Sequence, residues 1–127
     1  MLHHVSLPVA DLERSTRLYD LALGALGYQR VCSGNDFAGY GVEPGRDKFL
    51  LTRRHDAAAA GPGFHLALAA PSRVAVDDFF LVALAAGAQD NGAPGLRAHY
   101  GPDYYAAFIV DPDGHRIEAV INESGAS

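Results

Sequence analysis

Long apolar runs, basic clusters and paired cysteines are all missing from this 127-residue chain, and each absence removes a class of function. No apolar stretch reaches the roughly 18–20 residues that a membrane span requires. The N-terminus carries no basic segment followed by an apolar one, so no secretory leader is read there. Lys and Arg total 10 against 15 Asp and Glu, for a net charge of −5. The Arg53-Arg54 pair is too short to follow a nucleic-acid backbone, so nucleic acid is set aside as a partner. The single cysteine, Cys32, cannot form an intrachain disulfide and reads as a packed residue in "YQRVCS". A soluble cytoplasmic protein is the expectation.

What remains has the composition of a globular domain, 49% hydrophobic and 20% charged. Residues 3–9, "HHVSLPV", alternate: Val5, Leu7 and Val9 point one way, His4, Ser6 and Pro8 the other. Period two is the signature of a strand with one buried face. Pro8 cannot donate to a ladder, which puts this strand at an edge or frays it. Asp11 then suits a helix N-cap. Leu12, Ser15, Tyr19, Ala22, Leu23 and Leu26 follow at helical spacing, and Gly24 and Gly27 end the helix. Residues 28–33, 37–42 and 47–53 read as short strands separated by turn-rich segments.

After a small-residue linker, 56–63, the pattern restarts. "GFHLALAAPS" reads as a strand, with Phe64, Leu66 and Leu68 on one face and His65, Ala67 and Ala69 on the other. Ser72 caps a second helix striped by Val76, Phe79, Phe80, Ala83 and Leu84. A long polar loop, 89–103, is expected next, with one irregular strand near Leu96–His99. "YYAAFIV" and "HRIEAVI" are strands joined by "DPDG", which suits a type I turn. A shift of 61 residues lays His4 on His65, Leu7 on Leu68 and Leu23 on Leu84, so the chain reads as an internal duplication. Its parts are module one at 1–55, the linker at 56–63 and module two at 64–122, within a single domain spanning 1–127.

In this duplication His4 and His65 take equivalent places, each on the face turned away from the helices. Glu118 does the same on the last strand, between apolar neighbours, where an unpartnered carboxylate is costly. Two imidazoles and one carboxylate form a recurrent ligand set for Zn²⁺, Mn²⁺, Fe²⁺, Co²⁺ or Ni²⁺, with positions left open for substrate. A competing partner for Glu118 is Arg116, two residues away on the same face. Taken alone, His4 and His65 each read as polar strand-end residues. His3 falls one residue out of phase and points elsewhere. His115, in the "DPDGH" turn, is expected at the surface, and Asp77-Asp78 on a solvated helix face.

These stretches resemble the vicinal oxygen chelate superfamily, which includes glyoxalase I, fosfomycin-resistance thiol transferases, extradiol dioxygenases and bleomycin-resistance proteins. The resemblance rests on "HVSLPVADLERSTRLY" (4–19), "GFHLALAAPS" (63–72) and "YYAAFIVDPDGHRIEAV" (104–120). It implies an α+β fold of two βαβββ modules curled into a cleft, a homodimer, and a divalent metal on His4, His65 and Glu118. The glyoxalase I pattern places a further glutamate on the last strand of the first module, where this chain has Leu50. Dioxygenases and fosfomycin transferases have a tyrosine ten residues before the glutamate, where this chain has Phe108. Ser6 matches a hydroxyl position of the fosfomycin enzymes, and Arg97 alone is thin for a phosphonate. The expected substrate contacts are Ser6, Arg97, His99, Tyr104 and Phe108. Two functions stay open. One is a metal-dependent lyase, isomerase, thiol transferase or dioxygenase acting on adjacent oxygens of a small molecule. The other is a sequestering protein of bleomycin-resistance type.

Overall fold

The computed structural model describes residues 1–127. Ten elements follow in order: β1 (Val5–Val9), α1 (Leu12–Ala25), β2 (Gln29–Ser33), β3 (Phe37–Gly41), β4 (Asp47–Arg53), β5 (Leu66–Ala69), α2 (Arg73–Ala85), β6 (Gln89–Leu96), β7 (Tyr104–Val110) and β8 (Arg116–Asn122). They form two four-stranded mixed sheets, ordered β1-β4-β3-β2 and β5-β8-β7-β6. This is the duplicated βαβββ pattern expected from the sequence. The first strand of each module pairs in parallel with the last. β1 is therefore an edge strand, where a proline at position 8 leaves no ladder donor unmet.

Both helices start as the sequence dictates. The Asp11 carboxylate accepts from Arg14 N and the Ser72 hydroxyl from Ala75 N, satisfying one orphan donor in each first turn. Each helix is followed by a glycine with positive φ, Gly27 at 92° and Gly87 at 107°, which closes the last turn without a Cβ penalty. α1 begins at Leu12 and α2 at Arg73, so the 61-residue offset holds through strand and helix. It stretches to 68 by the last strands, where Ser6 pairs with Leu50 and Ala67 with Glu118.

The two helices pack on each other, and one core joins residues of both modules, including Val9, Leu18, Leu23, Leu51, Val76, Phe79, Ile109 and Ile117. Each such side chain contributes about 1.5–3 kcal/mol by leaving water. Leu18, fully buried, belongs to the α1 stripe that the spacing argument left out. Phe64 is a correction in the other direction. It precedes β5 and is exposed, because the strand begins only at Leu66. The expected 89–103 loop is also corrected: residues 89–96 form β6, which pairs with β7 through two register shifts around Gly92 and Gly95. No helix is long and apolar enough to cross a membrane.

The "DPDGH" turn does more than reverse the chain. Asp111 Oδ1 accepts from the backbone N–H groups of Asp113 and His115, while Oδ2 accepts from the Tyr19 hydroxyl on α1 at 2.7 Å. Asp113 accepts from Ala10 N. His115 is 5% exposed, which overturns its expected surface position. Its Nε2 donates to the Pro8 carbonyl at 2.6 Å. A carbonyl can only accept, so the Nε2 atom carries the proton. The turn of module two thus clasps the end of β1 and the middle of α1. Asp77 likewise differs from its expected solvated role, accepting from the Tyr105 hydroxyl at 2.6 Å.

Candidate functional site

Sheet register decides which side chains share a surface. In the second sheet Gly92, Phe108, Glu118 and Ala67 stand side by side across β6, β7, β8 and β5. They lie on the face turned away from the core, because the alternate residues Ile109, Ile117 and Ala119 are buried in it. Glu118 is nevertheless only 1% exposed. A buried carboxylate demands partners, and two are present. His65 Nε2 lies 2.9 Å from Oε1, and the Tyr104 hydroxyl donates to Oε2 at 2.5 Å. Arg116, the alternative partner read from the sequence, makes no ion pair with Glu118. It is exposed, opposite Val110 at the far end of the sheet.

The Tyr104 phenol is pushed up to about 12, by burial first and then by its hydrogen bond to Glu118 and that carboxylate's charge. At neutral pH it is a fixed donor and not a base. His65 meets Phe108 edge to face at 6.2 Å between centroids, and its side chain remains 48% exposed. Arg97 lays its guanidinium 5.4 Å from the centre of the Phe108 ring. Tyr104 is the inner member of an aromatic ladder, 5.2 Å from Tyr100, which is itself 4.1 Å from His99. The structure therefore gathers His65, Arg97, His99, Tyr104, Phe108 and Glu118 on one face. Tyr100, the further aromatic that the 89–103 segment offers beside Arg97, His99 and Tyr104, joins them.

Two sequence candidates lie elsewhere. His4 precedes β1 in the first module and is exposed, with its Nδ1 2.8 Å from Nδ1 of His3. Ser6 is on the outward face of the first sheet, its hydroxyl 2.9 Å from that of Thr52. Within one chain no three His, Cys, Asp or Glu side chains group closely enough to share a metal ion. His65 and Glu118 do have the chemistry and spacing of two ligands. Ligands about 2.0–2.2 Å from one ion and adjacent in its shell sit roughly 3 Å apart.

The face is open. Of the two cavities in the fold, one of about 580 Å³ lies at the start of α1, where Arg30 and Arg53 are already paired with Asp20 and Asp36. The other, about 280 Å³, lies between the modules and is lined by Val5, Tyr40, Phe49, Leu66 and Leu68. Neither contains His65 or Glu118.

Known proteins share this architecture. The model of the Glyoxalase/Bleomycin resistance protein/Dioxygenase superfamily matches residues 1–119. A glyoxalase/bleomycin resistance protein from Albidiferax ferrireducens T118 superposes with a TM-score of 0.79 at 31% identity, over 93% of this chain and 95% of that one. A glyoxalase/bleomycin resistance protein/dioxygenase family enzyme from Burkholderia phytofirmans PsJN gives 0.72 at 21% identity, over 96% and 98%. A glyoxalase I variant from Zea mays gives 0.71 at 24%, over 94% of this chain but 46% of its own length. The latter two likenesses concern the fold alone. No curated protein sequence matches the chain.

Proposed function

The chain belongs to the glyoxalase/bleomycin resistance protein/dioxygenase superfamily, and from that premise we propose that it is a metal-dependent enzyme acting on a small molecule. The observation that carries this reading is Glu118, a buried carboxylate on an otherwise open sheet face, held between His65 and Tyr104. His65 and Glu118 are two ligands of a divalent ion, Fe, Mn, Zn, Ni or Co. His4 is the third and comes from a second copy, since the single chain keeps it apart. The unpaired edges of β1 and β5 are where two copies would join their sheets.

The chain's own groups then have distinct tasks. Tyr104 fixes the Glu118 carboxyl by holding Oε2 and keeps its own proton at neutral pH. Phe108, Ala67 and Ala106 give the floor an apolar character that weakens competition from water. When bound, the ion supplies Lewis acidity toward adjacent oxygens of a substrate. The position equivalent to Glu118 in module one is Leu50, which faces Ser6 and Gly39 across its own sheet. Chemistry that needs a second carboxylate as base is therefore disfavoured, whereas isomerisation, thiol transfer and oxygenation stay within the reading.

One observation favours the sequestering alternative: both Glu118 oxygens already have partners within the chain, so an ion is not needed to satisfy them. Elemental analysis after growth with the five metals, and purification without chelator, separates the two. The enzyme reading expects about one ion per chain in wild type, held in a dimer, and none in Glu118→Ala. A metal-free wild type that still binds small molecules supports sequestration.

A further inference from the structure

Lys48, Arg73, Arg97 and Arg116 make no ion pair, and of these four Arg97 is the half-buried one on the His65–Glu118 face. Arg14, Arg17, Arg30, Arg46, Arg53 and Arg54 all pair with an aspartate or glutamate. Arg97 does not, although it is half-buried and the chain as a whole is acidic. Its guanidinium carries five N–H donors. One meets the Ala93 carbonyl at 2.7 Å, and no other protein acceptor is bonded to the group. Glu118, on the same face, is taken by His65 and Tyr104.

The position of the guanidinium is built, not incidental. It lies over the Phe108 ring, beside two glycines of β6, Gly92 and Gly95. A Cβ added at Gly92 would stand 3.2 Å from Arg97 Nη2 and 3.0 Å from the Phe108 ring. A Cβ at Gly95 would stand 3.2 Å from Nη1. Gly92 also has φ at +144°, a conformation that L side chains rarely adopt. The two glycines that break the β6 ladder are thus the two that make room for this cation. On the same face the ladder of Tyr104, Tyr100 and His99 offers an aromatic wall, with Tyr100 60% exposed.

We propose that Arg97, bedded on Phe108 between Gly92 and Gly95, is the anchor for the carboxylate of an aryl-bearing monocarboxylic acid. The planar fork matches a carboxylate in bidentate fashion. A single guanidinium suits a monoanion better than a phosphate dianion. The ring of the ligand rests against the Tyr104–Tyr100–His99 wall. Gly92 and Gly95 are positioning residues, since they act only through Arg97. The assignment rests on the reading of this face as the ligand site, and it names the substrate class for it.

The test titrates 2-oxo-2-phenylacetate and its uncharged methyl ester into the full chain, followed by NMR, with EDTA and again with Zn²⁺. The acid is expected to bind about tenfold more tightly than the ester, with the Arg97 Nε–H resonance shifting on binding. Arg97→Gln abolishes that preference, and Gly95→Ala reduces it several-fold while the melting temperature stays unchanged. Arg116→Gln, at the far end of the face, leaves the preference intact. Equal binding of acid and ester overturns the proposal. So does retention of the preference in Arg97→Gln, an equal loss in Arg116→Gln, or no binding of the acid at about 10 mM. Acid preference that persists with EDTA supports the anchor even where the metal reading fails. Metal binding lost in Glu118→Ala, beside equal binding of acid and ester, overturns the anchor and leaves the metal reading standing.

Discussion

The outward faces of the two sheets occupy equivalent places in the duplication, yet they carry different chemistry. Across the first sheet stand Cys32, Gly39, Leu50 and Ser6. Across the second, at the matching positions, stand Gly92, Phe108, Glu118 and Ala67. The backbone register is the same, but only the second row has a buried carboxylate with an imidazole and a phenol on it. The hairpin turns differ in the same sense. "EPGR" in module one closes on an exposed Arg46–Glu43 pair, whereas "DPDGH" in module two clasps the other module. Duplication repeats the hydrogen-bonded scaffold, because alternation and capping suffice to specify it. It leaves the outward positions free to diverge, because the core does not depend on them.

Substitutions at equivalent positions of the two modules should have unequal effects. The largest effect is expected at the matched pair Glu118 and Leu50. Glu118→Ala should weaken metal binding by more than about a hundredfold, whereas Leu50→Ala should leave it unchanged; titration calorimetry on both variants reads the difference. The turns come next. Tyr19→Phe removes a donor from the buried Asp111 carboxylate and should cost about 1–3 kcal/mol in denaturant unfolding. Arg46→Ala, in the other turn, should cost less than about 0.5 kcal/mol because its pair is solvent-exposed.

A pH effect follows from the clasp. Burial raises the Asp111 carboxyl above its ordinary 3.8, against the opposing hydrogen bonds from Tyr19 and the His115 N–H. A carboxyl with a raised folded value stabilises the fold most when protonated. Its contribution is full below pH about 4 and is lost as pH rises through the folded value. Asp111→Asn cannot titrate, so the wild-type curve of melting temperature against pH should show a downward step there that the variant lacks. The smallest effect is expected at Ser6, whose hydroxyl pairs with that of Thr52 in the open. Ser6→Ala should change stability by no more than about 0.5–1 kcal/mol.

The scaffold was legible because it rests on local rules. Alternation around Val5–Val9, the caps at Asp11 and Ser72, and the 61-residue shift all concern neighbours in sequence. The grouping of His65, Glu118 and Phe108 on one face was also readable, since strand parity fixes it. Three features were not. β6 looked like a loop because its glycines and proline mask a strand whose pairing is set by β7. His115 looked exposed because its partner, the Pro8 carbonyl, is 107 residues away in sequence. His4 looked like a neighbour of His65, because a duplication matches positions between modules without saying that they meet in the same chain.

The central claim, a metal site shared between two copies, is tested most directly by complementation. His4→Ala and Glu118→Ala proteins are prepared metal-free, mixed, unfolded and refolded together, supplied with Mn²⁺ and assayed for bound metal. In a shared site each variant alone holds none, because each site lacks one ligand. A mixed dimer regains one intact site from the His4 of one variant and the His65 and Glu118 of the other. Metal is expected in the mixture and in neither variant alone. A mixture that stays metal-free, beside a wild type that binds the ion, would contradict it.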